Sequence, residues 1–203
     1  LLGLLAGAGI PFIILFLGFI FANRLREDDL DRISSIPVLG RIPHDNSKNN
    51  RIVFDSSDSV TSEAFRQLRS RLQFFIKETT APVILVTSAM PDDGKTFTAI
   101  NLAAVYSLLG KRTVLVGFDL RKPKIIQDFN LNNEKGVSTL LIGQDQIDEI
   151  IQESGYKNLS IITSGPIPPN PAELIALPKT GDLLSGLKGK FDIIIIDTSP
   201  LGV

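Results

Sequence analysis

Short apolar runs alternate with helical stretches along the C-terminal part of the chain, and this alternation restricts the fold more than any other property. The apolar runs are 83–87, 113–117, 159–163 and 192–197. The helical stretches are 95–109, 138–141, 146–153 and 172–187. Strands that alternate with helices are joined by right-handed crossovers, which place helices on both faces of a parallel sheet. The pattern therefore predicts an α/β domain with a buried sheet.

The N-terminus has a different character, because residues 1–22 contain no charged side chain. A helix needs about 20 apolar residues to cross a bilayer, so we predict a transmembrane helix over residues 1–23. The alternatives are a buried core helix and a signal peptide, but the basic start and cleavage site of a signal peptide are missing. The chain begins at Leu1 rather than at a methionine, which indicates a fragment of a longer protein.

Polar sequence follows the predicted span. The basic residues after it are Arg24, Arg26, Arg32 and Arg41. Basic residues next to a membrane helix favour the cytoplasmic side, so the chain after about residue 23 is expected in the cytoplasm. Residues 24–61 carry Pro37, Gly40 and Pro43 and show little periodicity, which predicts a juxtamembrane linker. Residues 62–77 have helical spacing of apolar residues and begin the predicted globular domain, 62–203.

Composition excludes several classes of function. Lys and Arg total 21 against 22 for Asp and Glu, and a net charge of -1 does not favour a nucleic-acid partner. The chain has no cysteine, which excludes disulfides, cysteine zinc sites and thiol nucleophiles. His44 is the only histidine and has no metal-ligand partners nearby in sequence, so we expect an ordinary surface residue.

The loop after the first apolar run resembles a phosphate-binding loop. Residues 89–96 match G-x-x-x-x-G-K-[ST] at every fixed position except the first, where Ala89 replaces glycine. Such a loop surrounds phosphates with backbone N–H groups at a helix N-terminus. The predicted nucleotide-binding residues are Ala89, Pro91, Asp92, Asp93, Gly94, Lys95, Thr96 and Phe97. Lys95 would neutralise phosphates, and the Thr96 hydroxyl would bind Mg²⁺.

Two further apolar runs lead into carboxylates. The run 114–117 precedes Asp119, and four isoleucines at 193–196 precede Asp197. A carboxylate after a buried strand of a phosphate-loop domain is suited to holding Mg²⁺, directly or through water. Taken alone, Asp197 is equally compatible with a simple strand cap. Beside the phosphate loop, the predicted metal ligands are Thr96, Asp119 and Asp197, and the predicted fold is P-loop NTPase-like.

From about residue 36 onward the sequence resembles the bacterial tyrosine kinases, which include the cytoplasmic domains of polysaccharide co-polymerases. Their Walker A loop, Walker A prime motif and Walker B strand correspond in order to residues 89–96, 114–121 and 193–200, with one residue fewer before the loop proline. Residues 36–43 and 164–174 also resemble segments of this family. Glu63, Arg66 and Arg69 match its E-x-x-R-x-x-R oligomerisation motif, although an intrahelical ion pair explains the same residues.

The resemblance implies transfer of the γ-phosphoryl group of ATP to a tyrosine, with Mg²⁺ and with Lys95, Asp119 and Asp197 as catalytic residues. Asp119 is a candidate for either the general base or a second metal contact. The implied setting is a bacterial inner membrane, where the protein would regulate capsular or exopolysaccharide polymerisation and export. The implied partners are other copies of the chain in a ring, the polysaccharide machinery and a tyrosine phosphatase.

Two departures from the family pattern leave alternatives open. Gly117 stands where Walker A prime has its first acid, and the chain stops at Val203 before the tyrosine-rich tail and further strands. A domain that lacks these strands would be less stable. It would also lack a good acceptor tyrosine, because Tyr106 and Tyr156 are expected to be structural. The alternatives are a ParA/MinD-like ATPase, disfavoured by Met90 at its signature lysine position, and a catalytically weak membrane scaffold.

Overall fold

The computed structural model describes residues 9, 11–19, 36–45, 49–76 and 81–202, which fall into two compact units, Leu1–Leu39 and Gly40–Val203. In the first unit, residues 11–19 are helical. The predicted membrane span, residues 1–23, lies partly outside the described residues. Among the residues that are described, no helix has both the length and the apolar character needed to cross a bilayer.

The second unit is built on a five-stranded sheet with the order β1-β5-β2-β4-β3. Its strands are β1 (Val83–Val86), β2 (Thr113–Gly117), β3 (Gln152–Glu153), β4 (Leu159–Ile162) and β5 (Ile193–Asp197). All neighbouring pairs are parallel except β3 with β4 at the edge. The predicted parallel α/β sheet is confirmed, and β3 is an antiparallel addition that periodicity did not indicate.

Helices cover both faces of this sheet. They are α1 (Ile52–Asp55), α2 (Val60–Leu72), α3 (Lys95–Leu108), α4 (Ile125–Phe129), α5 (Val137–Leu141), α6 (Ile147–Ile150), α7 (Pro171–Ile175) and α8 (Lys179–Lys188). Alternate strand residues point into two separate cores: Leu115 and Ile195 pack on the side of α3, whereas Val114 and Ile194 pack on the side of α8. This two-sided burial explains why the strands are apolar at nearly every position.

Two predicted helices are shorter than their patterns suggested. The single helix predicted over 172–187 is two helices, α7 and α8, because Pro178 lies between them and proline cannot donate the backbone hydrogen bond of a helix interior. The helix predicted over 146–153 ends at Ile150, where the chain enters β3. Between β3 and β4 the chain reverses through positive φ angles at Gly155 (82°) and Asn158 (62°).

Part of the segment predicted as linker packs on the domain. Ile52 and Val53 of α1 are 4% and 1% exposed. The buried Asn101 side chain of α3 accepts a hydrogen bond from the Val53 amide (3.0 Å) and donates one to the Asn50 carbonyl (2.8 Å). Because a buried amide must be fully paired, Asn101 fixes this segment against α3. The apolar run at 52–54 was the sequence signal for this contact.

Candidate functional site

Three loops meet at the carboxyl edge of the sheet. Strand β5 lies between β1 and β2, and Asp197 at its end is in register with both Val86 of β1 and Gly117 of β2. The phosphate loop follows β1, and Asp119 comes two residues after β2. The order of the strands therefore brings together three motifs that are up to about a hundred residues apart, at the edge where α/β sheets bind ligands.

The phosphate loop ends in a left-handed turn at Gly94, which has φ +87° and precedes the first residue of α3. A Cβ at this position would meet open space, so glycine is required for the backbone angle rather than for room. Within the loop, the Asp93 carboxylate accepts a hydrogen bond from the Met90 amide at 2.8 Å. The loop is thus held in shape by its own side chain, with the N-terminal amides of the 14-residue α3 behind it.

Lys95 and Asp119 form a buried ion pair beneath the loop. Lys95 Nζ lies 3.1 Å from Asp119 Oδ2, and each side chain is only 7% exposed. The other Asp119 oxygen accepts hydrogen bonds from the amides of Arg121 (3.2 Å) and Lys122 (3.0 Å) and from Ser199 Oγ (3.0 Å). Burial raises the pKa of Asp119, but the hydrogen bonds from Lys122 and Ser199 together with Lys95 hold it below the ordinary value. Asp119 is therefore ionised at neutral pH.

Thr96 and Asp197 form a second buried pair. Thr96 Oγ1 donates a 2.8 Å hydrogen bond to Asp197 Oδ2, whereas Oδ1 of this 1% exposed carboxylate has no partner among the described residues. Burial raises the pKa of Asp197 to about 6. A buried carboxylate oxygen without a donor, beside a hydroxyl, fits the oxygen ligands that Mg²⁺ prefers. Residues that the structure describes include no cluster of three or more metal-ligating side chains, so water and phosphate would supply the remaining ligands.

Six of the eight predicted nucleotide-binding residues line two neighbouring cavities, whereas Asp93 lines a third cavity of about 340 Å³. One, of about 280 Å³, is lined by Pro91, Asp92, Lys95, Asp119, Arg121, Lys122, Lys124, Ser199 and Pro200. The other, of about 180 Å³, is lined by Asn50, Asp92, Gly94, Lys95, Thr96, Phe97 and Lys124. Ala89 lies at the start of the loop, where its carbonyl accepts a hydrogen bond from Gly202 (3.0 Å), while Phe97 packs against Phe65 of α2.

Comparison with known proteins adds to this geometry. A family model described as "AAA domain" matches residues 83–202. The tyrosine-protein kinase YwqD of Bacillus subtilis is 36% identical over 154 residues, which are 76% of this chain and 65% of that protein. The solved kinase domain of Escherichia coli tyrosine kinase ETK is 31% identical with a TM-score of 0.81, and the match covers 88% of this chain and 74% of that one.

The chain belongs to the bacterial tyrosine kinase family. The resemblance noted from the motifs is thereby confirmed, and the matching domain is an AAA domain. The chain spans less than two thirds of the length of the first curated relatives: 65% of YwqD and 23% of the Escherichia coli etk protein, to which it is 35% identical over 90% of its own length.

The family's first Walker A prime acid is replaced by Gly117, and the structure shows what surrounds this position. A Cβ at Gly117 would lie 3.3 Å from the amide nitrogen of Ser164 and 3.5 Å from the Ile162 carbonyl oxygen. Ser164 begins the proline-rich segment 164–174, which Asn133 holds by two hydrogen bonds to the backbone of Gly165 (2.8 and 3.0 Å). The first residue of this kinase-family segment, which follows β4, therefore packs against Gly117 at the carboxyl end of β2.

The two tyrosines have packing roles, as expected. Tyr106 in α3 is 3% exposed, and burial raises the pKa of its hydroxyl. Tyr156 stacks on Phe54 with ring centroids 3.8 Å apart and meets the edge of Phe129 at 6.2 Å. Neither lines the two cavities. His44 is exposed, as predicted, and it lines a cavity of about 340 Å³ together with Asp92, Asp93 and Gly94 of the phosphate loop.

Sequence reasoning did not include six residues that line the two cavities of this kinase-family site: Asn50, Arg121, Lys122, Lys124, Ser199 and Pro200. Lys124 belongs to a basic run that includes Arg121 and Lys122, and Ser199 lies within the Walker B motif, so both positions carried a signal. Asn50 carried none, because it reaches the site only through the packing of the segment before α1.

Proposed function

We propose that the protein is an ATP-dependent tyrosine autokinase. The observation that carries the proposal is the pairing of Lys95 with Asp119 and of Thr96 with Asp197 at one phosphate loop. The first pair places a cation and an ionised carboxylate at the loop, and the second offers oxygen ligands. Phosphoryl transfer depends largely on positioning and charge neutralisation, and this arrangement supplies both.

Different residues would bind the phosphates, hold the metal ion and accept the proton. The α3 amides and Lys95 hold the phosphates of ATP, and Thr96 and Asp197 would hold Mg²⁺, which neutralises charge on the transferred phosphoryl group. Once Lys95 turns to the phosphates, Asp119 is released to face the acceptor. The tyrosine oxygen attacks the γ-phosphorus, ADP leaves with the bridging oxygen, and Asp119 accepts the phenolic proton if it acts as the base.

We also propose where the reaction takes place. The uncharged stretch 1–22 with the following arginines supports an anchor in a bacterial inner membrane, with the kinase domain in the cytoplasm. In this setting the protein would regulate capsular or exopolysaccharide polymerisation and export and would phosphorylate neighbouring copies of itself in a ring. A tyrosine phosphatase would reverse this phosphorylation. The family resemblance of residues 36–43 and 63–69 supports this proposal.

One experiment separates the three functions that the sequence leaves open. Purified full-length protein would be incubated with Mg²⁺ and ATP, and phosphotyrosine and free phosphate would be measured side by side. Phosphotyrosine formation is the expected result. Phosphate release without phosphotyrosine would instead indicate a ParA/MinD-like ATPase, and neither product would indicate a nucleotide-binding scaffold.

Asp119→Asn tests the role of the ionised acid. Asparagine keeps the shape and can still accept hydrogen bonds from the Arg121 and Lys122 amides, but it cannot accept a proton. If Asp119 is the base, we expect tyrosine phosphorylation to fall by about a hundredfold or more while the Kd for ATP changes much less. Calorimetry and single-turnover kinetics measure the two quantities, and equal losses in both would assign Asp119 to the metal instead.

Arg66→Ala with Arg69→Ala tests self-association through α2. Arg66 pairs with Glu63 on the same helix at 3.1 Å, and Arg69 donates to the Val105 carbonyl at 3.3 Å. The exposed pair contributes little to folding, and the Arg69 contact contributes about 1 kcal/mol. We therefore expect the double variant to dissociate while remaining folded. Light scattering would measure the mass of the particles, with Lys188→Ala at an exposed position of α8 as the control. A particle mass that the double variant leaves unchanged would show that Arg66 and Arg69 make only contacts within one copy of the chain.

A further inference from the structure

An ion pair that none of the motifs accounts for connects the phosphate loop to the start of α4. Lys124 Nζ lies 2.5 Å from Asp92 Oδ1, and the two residues are 32 positions apart in the chain. Asp92 has φ +65°, in the left-handed region that few non-glycine residues adopt. An acid held in this conformation within a loop for anionic phosphates requires an explanation.

The position of Lys124 provides one. Lys124 and Asp92 both line each of the two cavities, and so does Lys95. The smaller cavity also contains Gly94 and Thr96 at the N-terminus of α3, where phosphates are expected. The Lys124 ammonium group therefore lies beside the expected phosphate site, in the same cavities as Lys95 of the loop.

The pair is also easily opened. The Lys124 side chain is 48% exposed and that of Asp92 is 81% exposed. Exposed ion pairs contribute little to stability because water screens them, so an arriving anion of higher charge competes well for the lysine. Without Lys124, the Asp92 carboxylate would repel the phosphates that the loop binds. The pair therefore neutralises the acid while the nucleotide is absent.

We propose that Lys124 is a second phosphate-binding cation of the nucleotide site, and that Asp92 holds it in place until ATP competes for it. This role rests on the nucleotide-dependent function proposed above. Lys124, from the loop after β2, would then bind the phosphates together with the Walker A lysine, Lys95. Asp92 would compete with the nucleotide for Lys124 and would not itself be a ligand of the nucleotide.

The test is a double-variant cycle read by calorimetric titration of the full-length protein with Mg²⁺ and ATP. Lys124→Gln should raise the Kd for ATP by about tenfold, because a charge-assisted contact is lost. Asp92→Asn should lower the Kd by about threefold, because asparagine tolerates the left-handed angle while the competing charge disappears. Lys111→Gln, the same change at an exposed lysine before the opposite end of β2, should leave the Kd unchanged.

The cycle also shows whether Asp92 competes with ATP for Lys124 or helps Lys124 to bind ATP. If Asp92 competes, the loss caused by Lys124→Gln is larger in the Asp92→Asn background than in the unaltered protein. A smaller loss in that background, or equal Kd values for Lys124→Gln and Lys111→Gln, overturns the role. If the unaltered protein fails to bind ATP, the proposed function itself falls and this role with it. Thermal unfolding of each variant confirms that the comparison is made between folded proteins.

Discussion

Lys95→Ala is expected to abolish detectable binding of ATP and to lower tyrosine phosphorylation by about a thousandfold or more. The phosphates lose the cation that α3 places beneath the loop, and the developing charge on the transferred group loses its closest compensation. The substitution also leaves Asp119 buried without its partner, since the two side chains are each only 7% exposed. Breaking a buried pair by removing one member costs about 3–5 kcal/mol when nothing replaces it.

The fold survives this change better than binding does, because Asp119 retains three hydrogen-bond donors, from Arg121, Lys122 and Ser199. Urea unfolding should therefore show a loss below that range. The double variant Lys95→Ala with Asp119→Asn provides the matched control, since it removes the unpaired charge. It should recover stability without recovering ATP binding. An unchanged Kd for ATP in Lys95→Ala, measured by calorimetry, would refute the assignment of the loop.

The sequence predicted the parts of this site that are encoded locally. The phosphate loop, Asp119 and Asp197 each follow an apolar run, and a parallel sheet brings the ends of such runs to one edge. Their pairing was not predictable in the same way. Whether Lys95 contacts Asp119 or Asp197 depends on the order of β1, β5 and β2, and that order is set by contacts between residues far apart in sequence.

The errors in the predicted secondary structure also arise mostly from contacts between residues far apart in sequence. The antiparallel β3 has only two residues and depends on β4 for its conformation, so it has no periodicity of its own. Helix α1 was assigned to a linker because its four residues are too few to show a helical pattern, and it is held by Asn101 from α3. Pro178, in contrast, was a local signal that should have divided the helix predicted over 172–187.

Asp197 shows the cost of preparing such a site. Its pKa of about 6 lies above the ordinary value of 3.8, so ionisation of this carboxylate is less favourable in the folded protein than in the unfolded chain. The stability linked to this group is fully present below about pH 4, is lost as the pH rises through 6, and remains lost at pH 7. The protein thus keeps a buried charge, one oxygen of which has no partner in the part of the chain that the structure describes, and a metal ion would stabilise it.

Asp197→Asn should therefore make the nucleotide-free protein more stable at pH 7, by about 3 kcal/mol, because the difference of about two pKa units disappears with the charge. The gain should nearly vanish at pH 4, where the protonated acid resembles the amide in charge and hydrogen bonding. Tyrosine phosphorylation should fall by about a hundredfold or more, since an amide is a poor Mg²⁺ ligand. Urea unfolding of both proteins between pH 4 and pH 7, without Mg²⁺, measures the first effect. A variant that is less stable than the unaltered protein at pH 7 would show that Asp197 is ionised at no cost to the fold, and that its carboxylate serves as a structural cap of β5.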